Sequence, residues 1–403
     1  MKIKIFSQYF YPENFRINEL VSYLKKKGHT LEVVTSIPTY PKRKYFKKYY
    51  NNPQKFRLYK NIKIKRLYAF PRLGDNFSLI LNYLTFFLSL VFEALLFSKK
   101  KENIYFIFCP SPILIFLPII FLSKITKTKI ILWVLDLWPE TLKDLGLVKN
   151  SNVLKYFYKI VKYIYDSSSL ILVQSGSFKQ QISKISKSTT HIFYSWPEQI
   201  KKKRKKFPPG MKKKKDYIYI VFAGNIGQAQ SFESVVKCAK LLHINKTKVI
   251  WVIVGDGRWK SKLQILINEE KLSHMFELVK NVPLNKINTY FNYADALFLS
   301  LKKKEVFKKT IPGKLQTYLS YGKPILGMIS GEANKIIKKS NSGYAVEADD
   351  YRNLKKKIIK FISLSRKKKA QLSFNAKQYA KINYNKNKIL NELELKMKTI
   401  VEK

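Results

Sequence analysis

Short apolar runs, each followed by a helical stretch, occur in two series along this chain, and no other feature narrows the fold as far. Residues 2–7 read as a first strand, 8–15 as a loop, 16–27 as a helix stopped by Gly28, and 31–35 as a second strand. Runs at 104–108, 130–134 and 171–174 continue the series. The pattern stops at 199–216, where the basic runs 201–206 and 212–215 flank Pro208-Pro209-Gly210. It resumes at 217–222, 249–254 and 296–299. Uninterrupted apolar strands alternating with helices predict parallel sheets buried on both faces. At 403 residues, two cores are the natural division. The expected plan is a Rossmann-like domain at 1–198, a basic linker at 199–216, a second such domain at 217–372, and a helical segment at 373–403. In doubly wound sheets, ligands bind beyond the carboxyl ends of the strands, so those turns hold the candidate residues.

The most site-like stretch is 310–343. Pro312 and Gly313 break the chain before a helical run in which Leu315, Tyr318 and Leu319 share a face and Gly322 is the stop. A helix opening after a glycine turn favours an anion, and Lys314 adds a full charge there. Gly331-Glu332 opens a second helix in the same manner, while Lys323, past the stop, is expected to point to solvent. The turn Gly224-Asn225-Ile226-Gly227 and the strand end Gly255-Asp256-Gly257 let backbone approach a phosphate or sugar closely. In the first half, Glu13, Asn14 and Asn18 lie in or just after the first loop. Asp136 follows a strand directly, which places a carboxylate in the ligand crevice.

Negative findings exclude several chemistries. Residues 8–18 contain no glycine, so the dinucleotide-binding fingerprint is absent, as is a P-loop. No Asp-x-Asp occurs, which argues against holding a diphosphate through a metal. Cys109 and Cys238 stand alone, implying neither disulfide nor zinc site and fitting a reducing cytoplasm. The net charge of +52 points to polyanions. Lysine is accompanied by abundant Ile, Asn, Tyr and Phe, the signature of an A/T-rich genome, so nucleic acid is disfavoured and an anionic membrane surface or phosphorylated substrate preferred. Residues 78–97 form an apolar, aromatic stretch nearly long enough to span a bilayer, with Asn82 and Glu93 inside it, and 113–120 is similar in character. A helix buried on the sheet, one lying in the membrane interface and a spanning helix all remain open; Arg66, Arg72 and residues 99–101 favour the interface.

Several short motifs, in order and spacing, carry a resemblance: Tyr9-Phe10-Tyr11-Pro12-Glu13, Lys27-Gly28-His29, Pro38-Thr39-Tyr40-Pro41, Asp136-Leu137-Trp138-Pro139-Glu140, Ser195-Trp196-Pro197-Glu198, Phe222-Ala223-Gly224-Asn225-Ile226-Gly227, Val254-Gly255-Asp256-Gly257 and Ile311-Pro312-Gly313-Lys314. Over nearly its whole length the chain resembles GT-B glycosyltransferases of family 4, in particular bacterial L-fucosamine (N-acetyl-fucosamine) transferases of surface polysaccharide synthesis. The resemblance implies an α/β GT-B fold, two facing Rossmann-like doubly wound domains with a cleft between them. It implies metal-independent transfer, with retained configuration and no cofactor, from a nucleotide-sugar, UDP-linked, to a lipid-linked saccharide acceptor. The enzyme would be cytoplasmic and peripheral at the inner face of the cytoplasmic membrane. Carried over, the donor residues are Gly224, Asn225, Gly227, Gly255, Asp256, Val282, Pro312, Gly313, Lys314, Thr317, Gly331 and Glu332. Asp136, Glu13 and Lys314 are the catalytic candidates, and Asn14, Asn18 and Trp138 face the acceptor. Family members carry two glutamates where this chain has Lys309 and Thr317, so Lys314, Glu332 or Glu305 would substitute. A nucleotide-sugar epimerase of similar shape and a catalytically impaired basic membrane scaffold are the other readings left open.

Overall fold

The structure is a computed structural model that describes every residue except 41–42, 98–101, 145, 149, 201–206, 212–213 and 403. The basic runs at 99–101, 201–206 and 212–213 therefore lie outside the described residues. The chain divides into two compact units, Met1–Tyr194 with Asn387–Lys403, and Ser195–Lys386.

The first unit is built on eight strands: β1 (Lys2–Ser7), β2 (Thr30–Ser36), β3 (Leu58–Tyr59), β4 (Ile62–Leu67), β5 (Ile104–Cys109), β6 (Lys129–Val134), β7 (Leu170–Val173) and β8 (Thr190–Ile192). Their order is β3-β4-β2-β1-β5-β6-β7-β8. All pairings are parallel except the β3–β4 hairpin. The chain adds strands outward from β1 through β2 to β4, then returns to lay β5 on the other side of β1. Loops leaving β1 and β5 thus flank a topological switch point, where an open parallel sheet has its crevice. Every residue of β5 is buried, as its unbroken Ile-Tyr-Phe-Ile-Phe-Cys run requires.

The apolar stretch is one helix, Asn76–Phe97. Its inward face carries Asn82, Phe86, Leu90 and Glu93, all buried, while Phe77, Ile80, Leu84, Leu88, Phe92, Leu95 and Leu96 stand exposed on the other face. Helical spacing has been used in reverse: the two polar residues face the protein. Asn82 bonds to Gln8 and Glu93 pairs with Lys65 at 2.6 Å, so each has a partner that lipid would not supply. The run at 113–120 is a short 3-10 turn leading into the helix Leu117–Thr126, whose Phe121 and Ile125 are also exposed. The last helix, Lys386–Glu402, buries Leu390, Leu393 and Met397. Its Glu394 accepts from Tyr23 Oη at 3.0 Å and lies 3.3 Å from His29 Nε2.

The second unit holds six strands, all parallel: β9 (Ile218–Ala223), β10 (Val249–Val254), β11 (Phe276–Val279), β12 (Ala296–Ser300), β13 (Ile325–Met328) and β14 (Gly343–Val346). The order β11-β10-β9-β12-β13-β14 is that of a Rossmann sheet, with its switch point between β9 and β12. Phe222, Trp251, Phe298 and Leu326 fill its core with Val235 and Leu354 from the covering helices.

Candidate active site

In the second unit, the β9 turn, the β10 turn and the helix Gly313–Tyr321 meet at the carboxyl edge of the sheet. Gly255 lies so close to the first turn that a Cβ there would stand 1.9 Å from the Gly224 carbonyl oxygen. At Gly224, φ is +139°, a conformation that favours glycine, and a Cβ would fall 2.4 Å from Lys314 Cε, so any side chain there would displace the lysine. The turns are tied together by Gly224 N donating to Val254 O at 2.9 Å and Ile226 N to Asp256 O at 2.8 Å. Tyr318, one turn into the helix, accepts from Ala223 N at 3.0 Å and fixes the helix against the end of β9.

Lys314 is the centre of this cluster. Its ammonium sits 3.9 Å from the centroid of the Phe222 ring, and no carboxylate pairs with it among the described residues. Desolvation pulls its pKa down to about 7. A cation kept over an aromatic face with no counter-ion is poised to gain from an arriving anion.

The other donor-side candidates sort by position. The Asn225 side chain lies over Gly227 and Gly257. Asp256 is exposed and caps its own turn by accepting from Gly257 N. Val282 is half-exposed beyond β11, at the sheet's outer edge. Pro312 and Gly313 open the helix, and Gly322, at φ +73°, ends it. Gly331 and Glu332 open the helix Glu332–Lys339 after β13, with Gly331 packed on the Lys308 carbonyl. Two expectations need correction. Thr317 is buried and committed to internal bonds, donating to Gly313 O at 3.1 Å and accepting from Glu198 N at 3.2 Å. Lys323 does not point to solvent: its ammonium donates to Asn292 O at 2.9 Å and Ala294 O at 2.6 Å, carbonyls at the C-terminal end of the helix Ile287–Tyr293, where the helix itself supplies no donors.

In the first unit, Glu13 is buried and receives three backbone amides, Tyr40 at 2.6 Å, Thr39 at 2.9 Å and Phe10 at 3.3 Å. Burial outweighs these donors and lifts its carboxyl to about 7. Arg66 reinforces the same loop through the carbonyls of Tyr11 and Ser36. Glu13 is thus placed as the tether of the β1 loop. Asn18 is buried with its amide on Glu13 O at 2.7 Å, and Asn14 is exposed. Asp136 stands half-buried just past β6, with no hydrogen-bond partner among the described residues and its carboxyl raised by burial to about 6. Trp138 is the third correction: it belongs to the core, packed edge-on against Phe157, with Nε1 donating to Ser111 Oγ at 3.1 Å.

Sequence reasoning missed the group around Arg72 as a site. Its Nε donates to Asn82 Oδ1 at 3.2 Å and its Nη2 to the hydroxyls of Tyr9 and Tyr83. One signal was available: only nine of the 78 basic residues are arginines, so an arginine kept amid lysines stands out.

Residues 203–379 match the family model described as "Glycosyl transferases group 1". The "Probable glycosyltransferase WbjE" of Pseudomonas aeruginosa is 22% identical over 295 residues, 70% of this chain and 72% of that protein. Among solved structures, sucrose-phosphate synthase from Thermosynechococcus elongatus superimposes with a TM-score of 0.71 at 13% identity, over 99% of this chain and 98% of that one. Anabaena HepE in complex with UDP gives 0.71 at 11% identity, over 99% and 100%. At such identities the likeness speaks for the fold, two Rossmann-like units of the GT-B class. Over residues 203–379 the chain is similar to group 1 glycosyl transferases in sequence, and over nearly its whole length it shares their fold.

Proposed function

We propose that the chain is a retaining, metal-independent glycosyltransferase that moves a sugar from a UDP-linked donor to a lipid-linked saccharide in cell-surface glycan synthesis. The second unit binds the donor and the first the acceptor. Lys314 is the observation that carries this reading: an ammonium with no carboxylate partner among the described residues, beside a glycine turn, at the switch point of a Rossmann sheet, within the segment that matches the group 1 family. The UDP held by HepE supports a uridine nucleotide here. As the glycosidic bond breaks, negative charge grows on the leaving diphosphate oxygen, and Lys314 with the amides of the glycine turn stabilises it. The same oxygen takes the acceptor proton on the front face, while Asp136 orients the acceptor hydroxyl by accepting its hydrogen bond. Metal independence rests on the lack of Asp-x-Asp. The exposed apolar face of the helix Asn76–Phe97, on a chain of net charge +52, supports a peripheral position on the anionic inner face of the cytoplasmic membrane.

A donor panel that includes UDP-N-acetyl-fucosamine, assayed on lipid-linked saccharides, tests the reading. Lys314→Ala should lose about thirty- to a thousandfold in kcat/KM, on the order of 2–4 kcal/mol. Lys339→Ala, at an exposed helix position, should stay within about threefold. Excess chelator should leave the rate unchanged. Equal behaviour of the two variants would misplace the site, and a loss on chelation restored by magnesium would end the metal-free mechanism.

A further inference from the structure

The geometry around Arg72 points to a binding site for the phosphate that joins the acceptor saccharide to its lipid; this assignment rests on the acceptor being lipid-linked. The guanidinium lies 5.1, 5.7 and 5.2 Å from the ring centroids of Tyr9, Tyr40 and Tyr83. Nε and Nη2 are used on Asn82, Tyr9 and Tyr83, and no carboxylate pairs with Arg72 among the described residues. Nη1, with two N–H donors, has no acceptor among those residues. Both phenols accept from Arg72, so each keeps its own O–H to donate to an incoming oxygen. Up to four donors therefore surround a cation whose charge the described residues leave unbalanced, a set that suits a phosphate or diphosphate.

A second observation lies behind the arginine. Gln8 is fully buried, and its Nε2 donates to Asn82 Oδ1 at 2.9 Å. Gln8 immediately follows β1 at the switch point, so the Asn82 that holds Arg72 is itself anchored at the sheet's crevice. The third observation is where the lipid would go. Arg72 precedes the helix Asn76–Phe97 by one short turn, and the exposed apolar face begins at Phe77 and continues through Ile80, Leu84 and Leu88. Asn82 and Tyr83, which hold Arg72, come from the same helix. An anionic head at Arg72 with an apolar chain along the stripe matches a polyprenyl diphosphate.

Three probes test this with the full chain: phosphatidylcholine vesicles doped with geranylgeranyl diphosphate, the same vesicles doped with phosphatidylglycerol to equal charge, and free inorganic pyrophosphate. The wild-type protein should co-sediment with the diphosphate vesicles about tenfold better than with the phosphatidylglycerol vesicles. Arg72→Gln should abolish that preference without changing phosphatidylglycerol binding, and Arg72→Lys should retain part of it. A melting curve and UDP titration of each variant establish that the fold and the second unit are intact. No preference in the wild type, or an unchanged preference in Arg72→Gln, overturns the assignment. Free pyrophosphate binding as tightly as the doped vesicles overturns its lipid half. Because UDP binding is read separately at Lys314, failure there would strike the transferase reading and leave the Arg72 result standing.

Discussion

Lys314 trades stability for binding, and the trade is visible in pH. In the free protein its ammonium loses its proton near pH 7, whereas an unfolded lysine holds it to about 10.4. The folded state thus carries fewer protons between those values, and stability rises with pH across that window. Lys314→Met should therefore be more stable than the wild type at pH 6, with the advantage fading towards pH 10, as urea unfolding would show. A bound diphosphate restores the charge, so UDP binding should take up a proton and weaken by about tenfold per pH unit above 7. Calorimetry in two buffers would measure the uptake, which should vanish in Lys314→Met. Lys323 shows what reading residues singly cannot reach. It follows a legible helix stop, yet its carbonyl partners lie 31 and 29 residues earlier. Lys323→Ala should cost about 1–3 kcal/mol of stability and leave UDP affinity unchanged. Thr317 misled for the same reason, because the amide it receives belongs to Glu198, 119 residues away.

At the scale of elements, the strands were the easiest to read, since a parallel strand covered on both faces must be apolar where it is covered, as β5, β10 and all of β6 after Lys129 are. The glycine turn after β9 and the helix from Gly313 to its left-handed stop at Gly322 were legible because their conformations are set by the residues themselves. The helix Asn76–Phe97 was not resolved beyond its length. Composition records that Asn82 and Glu93 interrupt an apolar run, but that they face inward shows only in their partners, Gln8 lying 74 residues before Asn82 and Lys65 on β4 for Glu93. That inversion makes the outer face separable from the fold. Phe92→Glu should change stability by no more than about 0.5 kcal/mol, while flotation with anionic liposomes drops sharply. Equal recovery of the wild type on neutral and anionic vesicles would show that charge plays no part in docking.

For the whole molecule, the division of the chain matters more than its length. The second unit is continuous from Ser195 to Lys386, whereas the first needs Asn387–Lys403 to be complete. Leu393 is fully buried in that returning helix, so Leu393→Ala should cost about 2–5 kcal/mol, read as a lower midpoint in urea, with UDP affinity of the folded protein preserved. Nothing in the local pattern of 386–402 announces its destination, because the contact with Tyr23 spans 371 residues. The order of synthesis gives this return a cost. Domains ordinarily fold in the sequence in which they leave the ribosome, but here the earlier unit must wait with Tyr23, Lys27 and His29 uncovered until the later one has been translated. A message truncated near codon 386 would release a chain whose second unit is whole and whose first is not, which on the proposed assignment is a nucleotide-binding product without a finished acceptor domain.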